Sequence, residues 1–231
     1  MTNSEIKELA GKYLINNYGE RQIALVRGEG VYVWDADGKK YLDFVAGIST
    51  NNLGHSHPKI VEAIIEQAKK LIHVSNLYYI EPQVRLAQRI VELSFADKCF
   101  FCNSGAEANE AAIKVSRKYS KEKFSEEKYE IITMKKSFHG RTITTLTATG
   151  QEKYQKGFEP LSPGFKYVPF NDIKAIEDAV TKNTCAIMVE PIQVEGGINV
   201  PSDDYLPKLR KFCDDNNILL IYDEVQTAMG R

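Results

Sequence analysis

The segment ILLIYDEVQTAMGR, residues 218–231, carries an apolar run directly into two acids, Asp223 and Glu224. A carboxylate at the end of a buried strand is costly unless a cation or hydrogen-bond donors face it. The only Lys or Arg close by in sequence is Arg231, so Asp223 meets either water or a cationic ligand. Three other segments put chemistry-bearing residues where predicted strands end. NSGAEANEAAIK (103–114) sets Ser104, Gly105 and Ala106 at the start of a helix. Small residues there let backbone N–H groups approach an anion, and the helix dipole favours it; a plain N-cap is the alternative. KKSFHGRT (135–142) offers a flat aromatic face in Phe138 and a bidentate fork for a carboxylate in Arg141. A core Phe and a solvated Arg are the alternative. His139 between them reads as a general base or, more commonly, as a loop-orienting residue. EPIQVEGG (190–197) holds Glu190 and Glu195 around a Pro, and two glycines follow. Such a pair can do acid–base work, while a solvated turn is the alternative for Glu195.

Taken together, an anion cradle, an aromatic plate, an arginine fork and a buried acid suit a planar, phosphorylated, cationic heterocycle. Pyridoxal 5'-phosphate is such a ligand, because an Asp keeps its pyridine nitrogen protonated and the ring becomes an electron sink. On this reading Asp223 faces the pyridinium, and the ion pair offsets the cost of burial.

The elements that must position these residues follow from periodicity. GVYVWDADGKKYLDF (30–44) predicts a hairpin around Asp37-Gly38. Residues 56–75 place apolar side chains at helical spacing with Pro58 near the start, and 81–95 predict a second amphipathic helix. From 98 onward the pattern alternates. Strands are expected at 98–102, 129–134, 165–168, 184–190 and 218–223, with helices at 104–120, 172–181 and 203–216. That alternation predicts an α/β fold, a mostly parallel sheet with covering helices. Such a sheet holds ligands at the carboxyl ends of its strands.

Composition narrows the class further. The chain has 231 residues, 43% hydrophobic and 26% charged, with a net charge of −1. This is the composition of a globular protein, with nothing to suggest a nucleic-acid or membrane partner. The N-terminus MTNSEIKELAGKYL lacks an apolar h-region, so a cytoplasmic location is expected. Cys99 and Cys102 form a C-x-x-C, but no second pair follows at zinc spacing. Reduced, buried thiols, without metal or redox work, are expected. No G-x-G-x-x-G follows a strand, which argues against a Rossmann-type dinucleotide binder.

The sequence resembles the class III, pyridoxal-phosphate-dependent aminotransferases. The residues carrying the resemblance are GVYVWDADGKKYLDF, NNLGHSHPKI, SNLYYIEPQ, FFCNSGAEANEAAIK, SFHGRT, EPIQVEGG and LLIYDEVQTAMGR, in the family's order across nearly the whole chain. NSGAEANEAAIK points to the branch acting on N-acetylornithine, in arginine biosynthesis. The alternatives are other class III enzymes acting on ornithine, succinylornithine or 4-aminobutyrate, or a non-catalytic fragment. The resemblance implies aminotransferase fold type I, with residues 1–55 as an N-terminal helix and hairpin segment of the small domain. Residues 56–231 would then form an incomplete large domain with its C-terminal part missing. It implies that Ser104, Gly105 and Ala106 hold the cofactor phosphate and that Phe138 stacks on the ring beside His139. Asp223 would pair with the pyridine nitrogen, with Val225 and Gln226 nearby and Gln226 reaching the ring's phenolic oxygen. Arg141, helped by Tyr18, would hold the substrate α-carboxylate, and Glu195 would sort amino acid from 2-oxoglutarate. A homodimer is also implied.

The family commonly has Gly where Val194 and Ala228 stand; at positive φ a side chain would add strain of order 1 kcal/mol. The resemblance places the Schiff-base lysine beyond residue 231, and Lys135 and Lys136 sit at another strand end. The chain is therefore expected to be an N-terminal portion without a catalytic residue of its own, and inactive as given. An open sheet edge and poor solubility are expected with it.

Overall fold

The computed structural model describes residues 1–231. They form two compact units, residues 1–97 with 230–231, and residues 98–229. The expected boundary at 55/56 falls inside the first unit.

In the first unit, α1 (Asn3–Tyr13) starts at a capping box, with Thr2 Oγ1 accepting from Glu5 N–H and Glu5 Oε2 accepting from Thr2 N–H. Strands β1 (Leu25–Glu29), β2 (Tyr32–Asp35) and β3 (Lys40–Leu42) form an antiparallel sheet in that order. The predicted hairpin is β2–β3. Buried Asp35 organises its turn, accepting from the amides of Asp37 and Lys39 at 3.0 and 2.8 Å and from the Tyr41 hydroxyl at 2.7 Å. A short turn, α2 (Ala46–Ser49), runs through left-handed backbone at all four of its residues. The predicted helices are α3 (Pro58–Lys70) and α4 (Glu81–Glu92), each with a Pro in its first turn.

The second unit contains α5 (Gly105–Lys123), β4 (Glu130–Met134), α6 (Ile143–Ala148), α7 (Glu152–Gln155) and β5 (Phe165–Val168). Then come α8 (Ile173–Ala179), β6 (Thr184–Val189), α9 (Tyr205–Asn216) and β7 (Leu219–Tyr222). The four strands pair in parallel in the order β5-β4-β6-β7. Central β6 is buried at all six positions, as a strand covered on both faces must be. One face packs Ile187 and Val189 with Ile132 of β4, Ile176 of α8, and Tyr205 and Leu209 of α9. The other packs Ala186 and Met188 with Ile131, with Ile113 of α5 and Ala148 of α6. Local signals set the helix ends. Asp172 caps α8 by accepting from Ala175 N–H at 2.9 Å, and Asn217 ends α9 in the left-handed region.

The strand expected at 98–102 is not formed; those residues are irregular, and Phe100 is exposed. An apolar run becomes a strand only where a neighbouring backbone pairs with it, and no strand pairs with this one. Val194 and Ala228 keep negative φ, so the strain considered for them does not arise. The left-handed positions fall instead at Gly197 and Ile198, and at Met229 and Gly230. No disulfide joins the four cysteines; Cys185 and Cys213 are buried, but against the expected burial of the C-x-x-C pair Cys102 is exposed and Cys99 half-buried, because residues 98–102 form no strand.

Candidate active site at the sheet switch point

Strand order reverses between β4 and β6, since β5 pairs on one side of β4 and β6 on the other. The carboxyl ends of parallel strands at such a reversal leave a crevice for a ligand. A cavity of about 210 Å³ lies there. It is lined by Gly105, Ala106 and Asn109 of α5 and by Phe138–Arg141 after β4. Glu190 and Ile192 after β6 and Asp223, Val225, Gln226 and Thr227 after β7 complete it.

The cradle at one end is built by α5. Ser104 caps the helix with its side chain, accepting from Glu107 N–H at 3.1 Å, and leaves the amides of Gly105 and Ala106 without intrahelical acceptors. A side chain at Gly105 would close this approach, since its Cβ would stand 2.9 Å from both methyls of Val225. Gly140, at φ 134°, is equally confined: a Cβ would lie 2.5 Å from Thr145 Oγ1 and 2.9 Å from the Ala106 Cβ. A nineteen-residue helix thus starts at the cavity wall with two amides that have no intrahelical acceptor, an arrangement that can receive an anion.

Asp223 follows the last residue of β7 and is 6% exposed. Its Oδ2 lies 2.7 Å from His139 Nδ1 and accepts from Asn109 Nδ2 at 2.8 Å, while Oδ1 accepts from Val225 N–H at 3.1 Å. Burial alone pushes this carboxyl up, but the His139 imidazole, the Val225 amide and Asn109 outweigh it. Asp223 is held below the usual carboxylate range. His139 is 1% exposed, and its Nε2 is buried without a partner. Asn109 also donates to the His139 carbonyl at 2.8 Å, so one amide fixes both members of the pair.

Glu190 is 7% exposed; its Oε2 accepts from Phe138 N–H at 3.0 Å. Burial pushes its carboxyl up to about 8, opposed by that one amide and reinforced by the charges of Asp223 and Glu195. The Phe138 ring packs edge-on against Tyr154 at 5.5 Å, and the Arg141 guanidinium lies 5.9 Å from the Phe138 ring centroid.

The fold thus brings Gly105, Ala106, Phe138, His139, Arg141, Asp223, Val225 and Gln226 to one cavity. Ser104 acts at its edge as the helix cap. Glu195 is exposed in the loop beyond and does not line the cavity. Tyr18 belongs to the first unit, where it is exposed with the Arg21 guanidinium 5.5 Å from its ring. Sequence reasoning did not single out Asn109, Gly140, Ile192 or Thr227 as site residues. Asn109 was legible only as one more polar residue of the helix.

Paired amides, a shielded anionic carboxylate, an aromatic wall and a guanidinium fit a phosphorylated aromatic cation. No group of three or more His, Cys, Asp or Glu could hold a metal ion. No helix is long and apolar enough to cross a membrane.

A family profile described as aminotransferase class-III matches residues 13–231. An acetylornithine aminotransferase from Methanocaldococcus jannaschii is 60% identical over 224 residues, which is 97% of this chain and 56% of that protein. The crystal structure of acetylornithine aminotransferase from Elizabethkingia anophelis is 39% identical with a TM-score of 0.82, covering 98% of this chain and 54% of that one. Ornithine aminotransferase from Toxoplasma gondii reaches a TM-score of 0.93 at 33% identity, with the same coverage. The chain spans a little over half the length of the relatives it matches.

Proposed function

The chain belongs to the aminotransferase class-III family, and on that premise we propose that it forms the cofactor-holding part of an acetylornithine aminotransferase. The reaction would take an amino group from N-acetylornithine to 2-oxoglutarate, with pyridoxal 5'-phosphate as the cofactor. The observation that carries this reading is the placement of buried, anionic Asp223 in the same cavity as the free amides of Gly105 and Ala106. A ligand with a phosphate at one end and a protonated ring nitrogen at the other satisfies both.

When bound, the cofactor supplies an electron sink for the bonds at the substrate's amine-bearing carbon. The chain's own residues bind and orient. The Gly105 and Ala106 amides donate to the phosphate. Asp223 keeps the ring nitrogen protonated, and His139 and Asn109 keep Asp223 ionised by donating to it. Phe138 walls the ring, and Arg141 takes the substrate carboxylate as a bidentate partner. N-acetylornithine is supported over ornithine by the identities of the relatives, which reach 60%. A homodimer in the cytoplasm belongs to the same reading.

The test has two parts. First, 4'-deoxypyridoxine 5'-phosphate, which lacks the aldehyde, is titrated into the protein and its ring fluorescence followed. Saturable binding, weakened at least tenfold by Asp223→Ala, is expected; its absence overturns the cofactor assignment. Second, transfer to 2-oxoglutarate by the protein carrying this chain is compared for N-acetylornithine, ornithine and 4-aminobutyrate. A preference for either of the latter two overturns the substrate.

A further inference from the structure

Two carboxyl groups close adjacent parallel strands in this cavity. Asp223 and Glu190 each stand one position beyond the register pair Val189–Tyr222 of β6 and β7. Both line the cavity and both are more than nine-tenths buried. Their surroundings differ. Asp223 has a ring nitrogen, a side-chain amide and a backbone amide on its two oxygens. Glu190 has one backbone amide, from Phe138, on Oε2; its Oε1 makes no hydrogen bond.

The charged and titratable groups around Glu190 are few. Asp223 faces it from the end of β7, and Glu195 from the loop following β6. His139 and Arg141 share the cavity from the loop after β4. His139 is committed to Asp223, and Arg141 is exposed. No cation pairs with Glu190. A buried carboxyl with a like charge beside it and a single neutral donor keeps its proton.

We propose that Asp223 alone carries the cavity's negative charge, and that Glu190 is a neutral acid whose O–H donates to an acceptor atom of the bound ligand. This rests on the cavity being the cofactor site. The wall then holds one negative charge to match one ring cation, and adds a donor for a ligand oxygen or nitrogen with a free lone pair. Glu190 is a positioning residue twice over, since the same carboxyl holds the Phe138 amide and so the ring beside the ligand. The group loses its proton near pH 8, which sets the upper limit of the donor's working range.

Two measurements test this. The infrared C=O band of a protonated carboxylic acid is recorded for the ligand-free protein against pH, with Glu190→Gln as the subtraction. Affinity for 4'-deoxypyridoxine 5'-phosphate is measured over the same range for wild type, Glu190→Gln and Glu190→Ala. A band lost near pH 8 and missing in Glu190→Gln is expected. Glu190→Gln, which keeps a donor, should bind within about threefold of wild type at neutral pH. Wild type should then weaken by about tenfold per pH unit above 8 relative to Glu190→Gln. Glu190→Ala should be at least tenfold weaker throughout. No band at neutral pH, or Glu190→Gln binding as poorly as Glu190→Ala, overturns the proposal. A titrating band in a protein that does not bind the probe overturns the cofactor reading, and the donor role with it, while leaving the acid neutral.

Discussion

His139 and Asp223 meet at 2.7 Å with side chains 0% and 4% exposed. His55 and Asp43 in the first unit meet at the same distance with side chains 23% and 13% exposed. Equal geometry has unequal consequences, because water screens the second pair and is excluded from the first. In the buried pair a missing partner leaves an uncompensated polar group.

Asp223→Ala therefore strands His139 Nδ1 and one of the two N–H groups of Asn109 Nδ2, the other still donating to the His139 carbonyl. The expected loss is about 3–5 kcal/mol of folding stability, measured by urea denaturation. Asp223→Asn keeps an acceptor oxygen and should lose clearly less, while still weakening the phosphorylated-pyridine probe. Equal losses for the two variants would show that the hydrogen bonds to Asp223 do not hold the loop.

Gly105→Ala places a methyl 2.9 Å from both Val225 methyls, at the mouth of the amide cradle. Val225 is exposed and can shift, so the fold should tolerate the change within about 1 kcal/mol. Probe affinity should fall at least tenfold. A calorimetric titration showing wild-type affinity would place the anion elsewhere.

Ile187 is fully buried in central β6, in the cluster shared with α8 and α9. Ile187→Ala should cost about 2–5 kcal/mol by denaturant titration, the range for an unrelaxed core cavity. A cost under about 1 kcal/mol would mean that the sheet collapses around the gap.

The pH dependence of stability follows from two acids of opposite sign. Glu190 is raised from 4.5 to about 8 in the folded chain. The unfolded chain thus releases this proton first, and the stabilisation is complete only below the unfolded value. It drains as pH rises towards 8, at no more than about 1.4 kcal/mol per pH unit. Asp223 is lowered from 3.8, so its contribution is present above that value and lost as pH falls through the folded one. Wild type minus Glu190→Gln, followed by urea denaturation, should slope downward across the neutral range. A flat difference would exclude a neutral Glu190.

Much of this was legible in the sequence, and the failures have physical causes. The strands around Ile131, Ile187 and Leu220 were readable because apolar residues fill both of their faces. KCFFC has the same appearance, yet residues 98–102 form no strand. Pairing is a property of two segments, and composition reports only one. Helix α6 escaped notice because ITTLTA is rich in β-branched threonines, which favour strands. Its hydroxyls return to the helix backbone, with Thr147 Oγ1 donating to the Ile143 carbonyl at 2.8 Å. Thr142 and Thr145 close its start as a capping pair. Asp223 was found because an acid after an apolar run is conspicuous. Asn109 was not, because nothing in a helix sequence marks the one polar residue that turns inward.

Asn109 and Asp223 are 114 positions apart and joined by a hydrogen bond of 2.8 Å. Contacts of such long range form late, because the loop entropy of closing them must be met before they return any stabilisation. On refolding, α5 can wind within microseconds, whereas the cavity has to wait for three parallel strands to find their order. Competence to bind would thus be the last property the chain recovers, and a timer for its arrival at the native topology.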